Sequence, residues 1–196
     1  MPAPDAALGR TWPTLSLTEW LVLCLASEGP THGFAIARLV SQQGSLGQVW
    51  RVPKPVIYRA LPRLEELGLA RVVGEQPTSL GPVRSLIAAT DQGRQAAAEW
   101  LTRPVGHIRD VRSELMVKLA LLDRAGQDPR SLLAAQHEQL QPIASALQDK
   151  LATATGFDRT LLLWRYETVS AALRFLDEAA GNGATSSSPQ PVTAQP

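Results

Sequence analysis

Residues 55–93 decide the fold, read in five pieces: PVIYRALPRLEELG (55–68), LARVV (69–73), GEQPTSLGPV (74–83), RSLIA (84–88) and ATDQG (89–93). Pro55 suits the first position of a helix, where its missing amide proton is no loss. Gly68, just past Leu67, supplies the stop. On a helical wheel Ile57, Ala60, Leu61 and Leu64 share one face; Pro55, Tyr58, Arg59, Pro62, Arg63 and Glu66 lie opposite or on its flanks. Residues 69–73 and 84–88 are β-compatible runs, and the ten residues between them hold two Gly and two Pro, which predicts a hairpin with a long tip. Thr90-Asp-Gln-Gly then caps a helix over 91–101, closed by Arg103-Pro104.

Upstream, Ser16-Leu-Thr-Glu19 is a capping box. It opens a helix through Leu21, Leu23 and Leu25 that stops at Glu28-Gly29-Pro30. Nearly every position in it is apolar, so burial on most sides is expected. Thr31 is placed to cap a second helix through Phe34, Ile36, Ala37, Leu39 and Val40, ending near Gln43-Gly44. Residues 49–52 read either as a short strand or as an extended lead-in. Three helices, a hairpin and a fourth helix, in that order, are the winged helix-turn-helix arrangement.

Downstream the pattern is helical. Val111, Leu115, Leu119 and Leu122 form a stripe over 110–122. Asp128-Pro129 reads as an N-cap with proline at the first helical position, starting a helix to about 153. Leu133, Leu140, Leu147 and Leu151 repeat at heptad-like spacing in it, and Pro142 is expected to bend it. A last helix, 158–180, carries Leu162, Tyr166, Val169, Leu173 and Leu176. Two amphipathic helices joined at Thr155-Gly156 make a hairpin whose seam asks for a partner. The expectation is dimerisation through Leu133, Leu140, Leu147, Leu162, Val169 and Leu173; the alternative is packing within the chain's own domain. The fold class is thus mainly α with a small β-hairpin wing. Residues 1–15 read as a flexible arm, 16–104 as a winged-helix DNA-binding domain, 105–181 as a helical dimerisation domain and 182–196 as a disordered tail.

Composition narrows the function classes. The chain has 196 residues, 44% hydrophobic and 19% charged, an ordinary globular balance. Its longest apolar run, 20–26, is far short of the ~20 residues a membrane span needs. Pro4 and Asp5 stand where a secretory signal places basic residues, so a soluble, cytoplasmic protein is expected. Cys24 stands alone in an apolar helix, as a buried structural thiol or a redox sensor. His32, His107, His137 and Cys24 lack metal-ligand spacing, and no phosphate loop, nucleophile elbow or dinucleotide fingerprint is present. No enzyme, cofactor or metal is expected. Five aromatics, Trp12, Trp20, Trp100, Trp164 and Tyr166, serve either as core or as walls for a planar small-molecule effector.

Net charge is only +1, but Arg51, Lys54, Arg59 and Arg63 fall within thirteen residues that contain no acid. Arg59 and Arg63 on the third helix are placed to read guanine edges in a major groove about 12 Å wide, with Tyr58 and Lys54 on phosphates. Arg84 in the wing is placed for the minor groove or a phosphate. His32, ahead of the second helix, either contacts a phosphate or fixes the turn before Gly33. The opposing reading is a solvated helix face, with Pro62 and Glu66 working against DNA contact.

These residues also carry a family resemblance. LVLCLASEGPTHGF (21–34) resembles the stretch ending GP-x-HGY of the PadR-like transcriptional regulators. IYRALPRLEELGL (57–69) is similar to their YxALxRLEExGL. GPVR (81–84) with TDQG (90–93) resembles the wing ending and helix cap, and IRDVRSELMVKL (108–119) the opening of the helical C-terminal domain of the longer members. The resemblance implies a homodimer held by the C-terminal helices, binding a pseudo-palindromic double-stranded operator and repressing, with release by a small aromatic molecule or another signal. Phe34 departs from the usual tyrosine, Pro62 sits in the third helix and is expected to kink it or shift its geometry, Ile87 replaces a frequent wing tyrosine, and the wing has fewer arginines. A winged-helix protein-interaction module with lost DNA contact is the alternative function.

Overall fold

The computed structural model describes residues 12–77 and 83–182. Most of the expected arm, the hairpin tip at 78–82 and the tail beyond 182 lie outside the described residues. Residues 12–15 do not behave as a loose arm: the Trp12 indole donates to Glu99 Oε2 at 2.6 Å, and Leu15 is buried. The chain divides into two compact units, residues 1–100 and 101–196.

In the first unit α1 (Leu17–Ser27) begins at the capping box read from sequence: Ser16 N donates to Glu19 Oε2 at 2.6 Å and Glu19 N to Ser16 Oγ at 3.3 Å. Leu21 through Ala26 are all buried, as a helix apolar on nearly every side requires. The second helix, α2 (Gly33–Leu39), is capped by His32 rather than Thr31. Thr31 instead pairs in a β-bridge with Ile87, its N and O each bonded to that residue's backbone at 2.9 and 2.7 Å. This ties the α1–α2 turn to the hairpin and moves the cap by one residue. Residues 46–49 form turns and 50–53 run without regular structure, so no strand precedes the third helix.

The third helix, α3 (Lys54–Glu66), starts one residue ahead of Pro55 and runs unbroken through Pro62. Proline there withholds a donor from the Tyr58 carbonyl, yet Ile57, Ala60 and Leu64 anchor the helix on both sides of it in the core. Leu61, expected on the same face, is half-buried at its edge. The stop is a Schellman motif. Gly68 has φ 68°, its N–H donates to Glu65 O at 2.9 Å, and Leu69 N–H donates to Leu64 O at 2.9 Å. β1 (Ala70–Gln76) and β2 (Arg84–Ala89) are antiparallel, in register at Val72↔Ile87 and Gly74↔Leu86, which leaves Val73 in a bulge. α4 (Asp91–Thr102) is capped by Thr90, whose Oγ1 accepts from Gly93 N at 3.0 Å and donates to Gly68 O at 2.7 Å. The rings of Trp20 and Trp100 stack at 5.3 Å.

The second unit runs through a short helical turn α5 (Ile108–Asp110), a π-helical turn (Val111–Leu115), α6 (Met116–Arg124), α7 (Arg130–Leu151) and α8 (Gly156–Asn182). The expected single helix over 110–122 is thus a composite, and α7 begins after Pro129, with the Asp128 carboxylate accepting from Arg130 N at 3.0 Å. α7 also runs unbroken through Pro142. Leu115, Leu122, Leu132, Leu133, Leu140, Val169 and Leu176 form the core. Two polar side chains are buried with them. Lys118 Nζ bonds Glu114 Oε1 and the Arg103 carbonyl, each at 2.7 Å, and Gln136 accepts from Val105 N at 2.7 Å while donating to Val105 O at 3.2 Å. Gln136 therefore pairs with the N–H and C=O of one residue as a β-strand neighbour does, which satisfies buried backbone groups in a stretch without regular structure. No described helix is long and apolar enough to cross a membrane.

Candidate nucleic-acid interface

With Ile57, Ala60 and Leu64 turned inward, helical periodicity turns Pro55, Tyr58, Arg59, Pro62, Arg63 and Glu66 outward. Tyr58, Arg59, Arg63 and Lys54 are all exposed. They separate to two flanks of α3. Arg59 lines a shallow pocket with Ser16 and Glu19 at the start of α1, and Arg63 is drawn 3.5 Å from Glu66 one turn on. An exposed pair at that spacing contributes only ~0.3–0.5 kcal/mol, so Arg63 can leave it for a phosphate.

On the other flank Tyr58, Leu61, Pro62 and Glu65 wall a recess of about 610 Å³, closed opposite by Val72, Val83, Arg84 and Ile87 of the hairpin and at one end by His32 and Phe34. Tyr58 fits because residue 33 has no side chain: a Cβ there would lie 2.9 Å from Tyr58 Cε1. Lys54, at the first position of α3, has its Nζ 5.6 Å from the centre of the Phe34 ring, and the Arg84 guanidinium carbon lies 4.5 Å from it. The structure thus brings Lys54, Tyr58, Arg84 and His32 together around one recess and sets Arg59 and Arg63 on the far flank. His32 is the cap of α2, its Nδ1 accepting from Ala35 N at 3.0 Å, so the turn-fixing role exists and only Nε2 is left to meet a phosphate.

Two residues central to this arrangement, Gly33 and Phe34, were not among the expected site residues. The signal was present in the Gly-Phe dipeptide at a helix start, but its meaning depends on Tyr58 and Arg84, which are distant in sequence. Arg71 on β1 is a further exposed cation of the wing.

Residues 22–99, the stretch that builds this recess, match the profile described as "Transcriptional regulator PadR-like family". Over that stretch, about two fifths of the chain, the sequence is similar to the PadR-like transcriptional regulators. Similar solved structures include Bacillus subtilis PadR in complex with operator DNA, at 22% identity and TM-score 0.43, covering 83% of this chain and 97% of that one. Another is Bacillus subtilis PadR in complex with p-coumaric acid, at 19% identity and TM-score 0.37, covering 86% and 96%. A third is a PadR-like transcriptional regulator from Bacillus cereus, at 18% identity and TM-score 0.36, covering 85% and 98%. No curated protein matches the chain.

The matched stretch is followed by the helical unit in which dimerisation is expected. Within the single chain that unit already covers part of the expected seam. Leu133 (1% exposed), Leu140 (1%) and Val169 (2%) are covered within the chain, and Leu147 and Leu173 pack half-buried against them. Leu162 is half-buried. The heptad seam therefore joins α7 to α8 of one chain and to α6. The large apolar side chains left outward in this unit are Ile143 on α7 and, on α8, Phe157 (77% exposed), Leu161, Leu163, Trp164 (70%) and Phe175; Phe157, Leu161, Trp164 and Phe175 share one face. Among the described residues no three His, Cys, Asp or Glu side chains come together as a metal site.

Proposed function

We propose that this PadR-like regulator binds a pseudo-palindromic double-stranded operator as a homodimer and represses transcription from it. The observation that supports the reading is the convergence of Lys54, Tyr58, Arg84 and His32 on one recess between α3 and the hairpin, with Arg59 and Arg63 on the opposite flank of the same helix. A helix entering a major groove needs phosphate contacts and side chains that reach base edges; Lys54, Tyr58 and Arg84 suit the first and Arg59 and Arg63 the second. The helical unit, residues 105–181, serves as the dimerisation domain. Phe157, Leu161, Trp164 and Phe175 fall on one face of α8 at helical spacing, and exposed large apolar side chains grouped in that way ask for cover. A second copy supplies an identical stripe about a two-fold axis, as isologous dimers do. The rings of Trp164 and Phe157 in that dimer offer flat apolar surface to a small aromatic effector, whose binding would shift the spacing of the two α3 helices.

The competing reading, a winged-helix module that contacts protein, is favoured by Glu65 on the wall of the recess and by the Arg63–Glu66 pair, both of which oppose phosphate. The two readings separate in one experiment. The native chain is used to enrich duplexes from a randomised pool, and the winner is titrated by fluorescence anisotropy at two salt concentrations beside the Arg59→Ala/Arg63→Ala variant. Enrichment of a two-fold motif, with log K falling steeply against log salt and affinity lost in the variant, is expected. No enrichment, or binding indifferent to salt and to the arginines, overturns operator binding in favour of the protein-contact reading.

A further inference from the structure

We infer that Phe34 is a positioning residue that holds Lys54 and Arg84 ready for DNA, an inference that rests on the operator-binding reading above. Phe34 stands at the second position of α2 with 37% of its surface exposed, although it is one of the chain's largest apolar side chains. Its neighbours Gly33, Ile36 and Ala37 are buried in the core, and Phe34 points away from them toward the recess. There it receives two cations from two other elements. The Arg84 guanidinium of β2 lies 4.5 Å from the ring centre and Lys54 Nζ of α3 lies 5.6 Å from it. Both distances are within the ~6 Å over which an aromatic face attracts a cation. One ring thus ties the wing to the start of the third helix.

An exposed cation–π contact is too weak to matter much for folding. Its value lies in binding. Lys and Arg carry more rotamer entropy than other side chains, and a phosphate contact must overcome it. A ring that has already narrowed both side chains lowers the ordering cost at the moment of association. The ring competes with no phosphate for hydrogen bonds, since it accepts none from the outer N–H groups. The two long side chains keep their charge, so counterion release is untouched.

The test uses the full-length chain, the duplex it enriches from a randomised pool, and four backgrounds: native, Lys54→Ala/Arg84→Ala, and each combined with Phe34→Leu. Phe34→Leu is expected to weaken binding about tenfold, the combined ordering cost of two side chains. The slope of log K against log salt should be unchanged. In the Lys54→Ala/Arg84→Ala background the same substitution should cost less than twofold. Phe34→Tyr and Phe34→Trp, which keep an aromatic face, should bind within about twofold of native. In the free protein the Arg84 side-chain protons should show an upfield ring-current shift that Phe34→Leu abolishes. An equal loss in both backgrounds, or a Phe34→Tyr variant as weak as Phe34→Leu, overturns the inference and leaves operator binding standing. A native chain that enriches no duplex overturns the operator reading first, and this inference with it.

Discussion

Gly33 and Gly93 each admit alanine on paper, and the structure predicts opposite consequences. At Gly33 the new Cβ falls 2.9 Å from Tyr58 Cε1 and 3.1 Å from Leu61 Cδ1. Both atoms belong to side chains, and Tyr58 is 51% exposed, so the ring can swing outward. Gly33 is the first residue of α2, where alanine gains less than the about 0.5–1 kcal/mol it gains over glycine inside a helix, against an overpacking cost near the low end of the usual ~1–3 kcal/mol. Stability should therefore change by less than about 1 kcal/mol. Binding should not be spared, because the displaced ring carries its hydroxyl away from the recess. A hydrogen bond to a charged group contributes about 1.5–3 kcal/mol, which is roughly a ten- to hundredfold loss of affinity. At Gly93 the Cβ would sit 1.9 Å from the Leu69 carbonyl oxygen, which also accepts from Thr90 N at 2.9 Å. Backbone cannot swing, so β1 must part from α4, at about 3 kcal/mol or more and about 12–24 °C in Tm. Thermal melts by circular dichroism and duplex anisotropy, run on both variants with Tyr58→Phe beside them, decide the matter. Gly33→Ala melting as early as Gly93→Ala, or binding DNA like native while Tyr58→Phe is weakened, would refute the reasoning.

Other outcomes follow from single contacts. Gln136→Leu removes the side-chain partner of both the buried Val105 N–H and its C=O and should cost the helical unit about 3 kcal/mol, read as a lower urea midpoint. Phe157→Asp/Trp164→Asp should give a monomer in sedimentation velocity with native helicity, because both side chains are exposed within one chain. Lys54→Ala/Arg84→Ala should reduce the salt slope by about 2, near 0.9 per phosphate contact. The Arg130 side chain, hydrogen-bonded to the exposed Asp128, holds that carboxyl below its ordinary 3.8. Its contribution to stability is present above that value and is lost as pH falls through the lower folded-state value. Solvent screens the pair, so Asp128→Asn should leave the melting temperature at neutral pH almost unmoved.

The elements that could be read from sequence are those whose signals are local. Ser16 and Glu19 lie three residues apart, Gly68 closes the helix it follows, and Thr90 caps three residues ahead, so each motif is complete within one turn. Thr31 was misplaced as a cap because its competitor is Ile87, and a backbone bridge across that separation leaves no mark in composition. Pro62 predicts a kink or a shifted geometry in the third helix, and the helix stays unbroken through it because Ile57 and Leu64, buried on either side, anchor it despite one missing donor. The site divides in the same way. The cations of α3 were legible because the chain clusters them without an acid, whereas the grouping of Lys54 and Arg84 about Phe34 exists only once the hairpin folds back.

The heptads of α7 and α8 show the limit most sharply. A 3.5-residue apolar repeat states that a helix needs a neighbour and says nothing of whose helix that is. Leu133, Leu140 and Val169 satisfy it within the chain because the turn at 152–155 returns α8 along α7. Placing that seam inside also accounts for Gln136 and Lys118. Both sit on or beside the seam at positions where an exposed polar residue would be unremarkable, and both are buried because residues 103–105 pass over them and need their amides and carbonyls met. What distinguishes an intermolecular face is apolar area left uncovered after the chain has satisfied itself, and that quantity can be taken only from the folded unit. On α8 uncovered apolar area remains at Phe157, Leu161, Leu163, Trp164 and Phe175, and the proposed dimer rests on the four of these that share a face, Phe157, Leu161, Trp164 and Phe175.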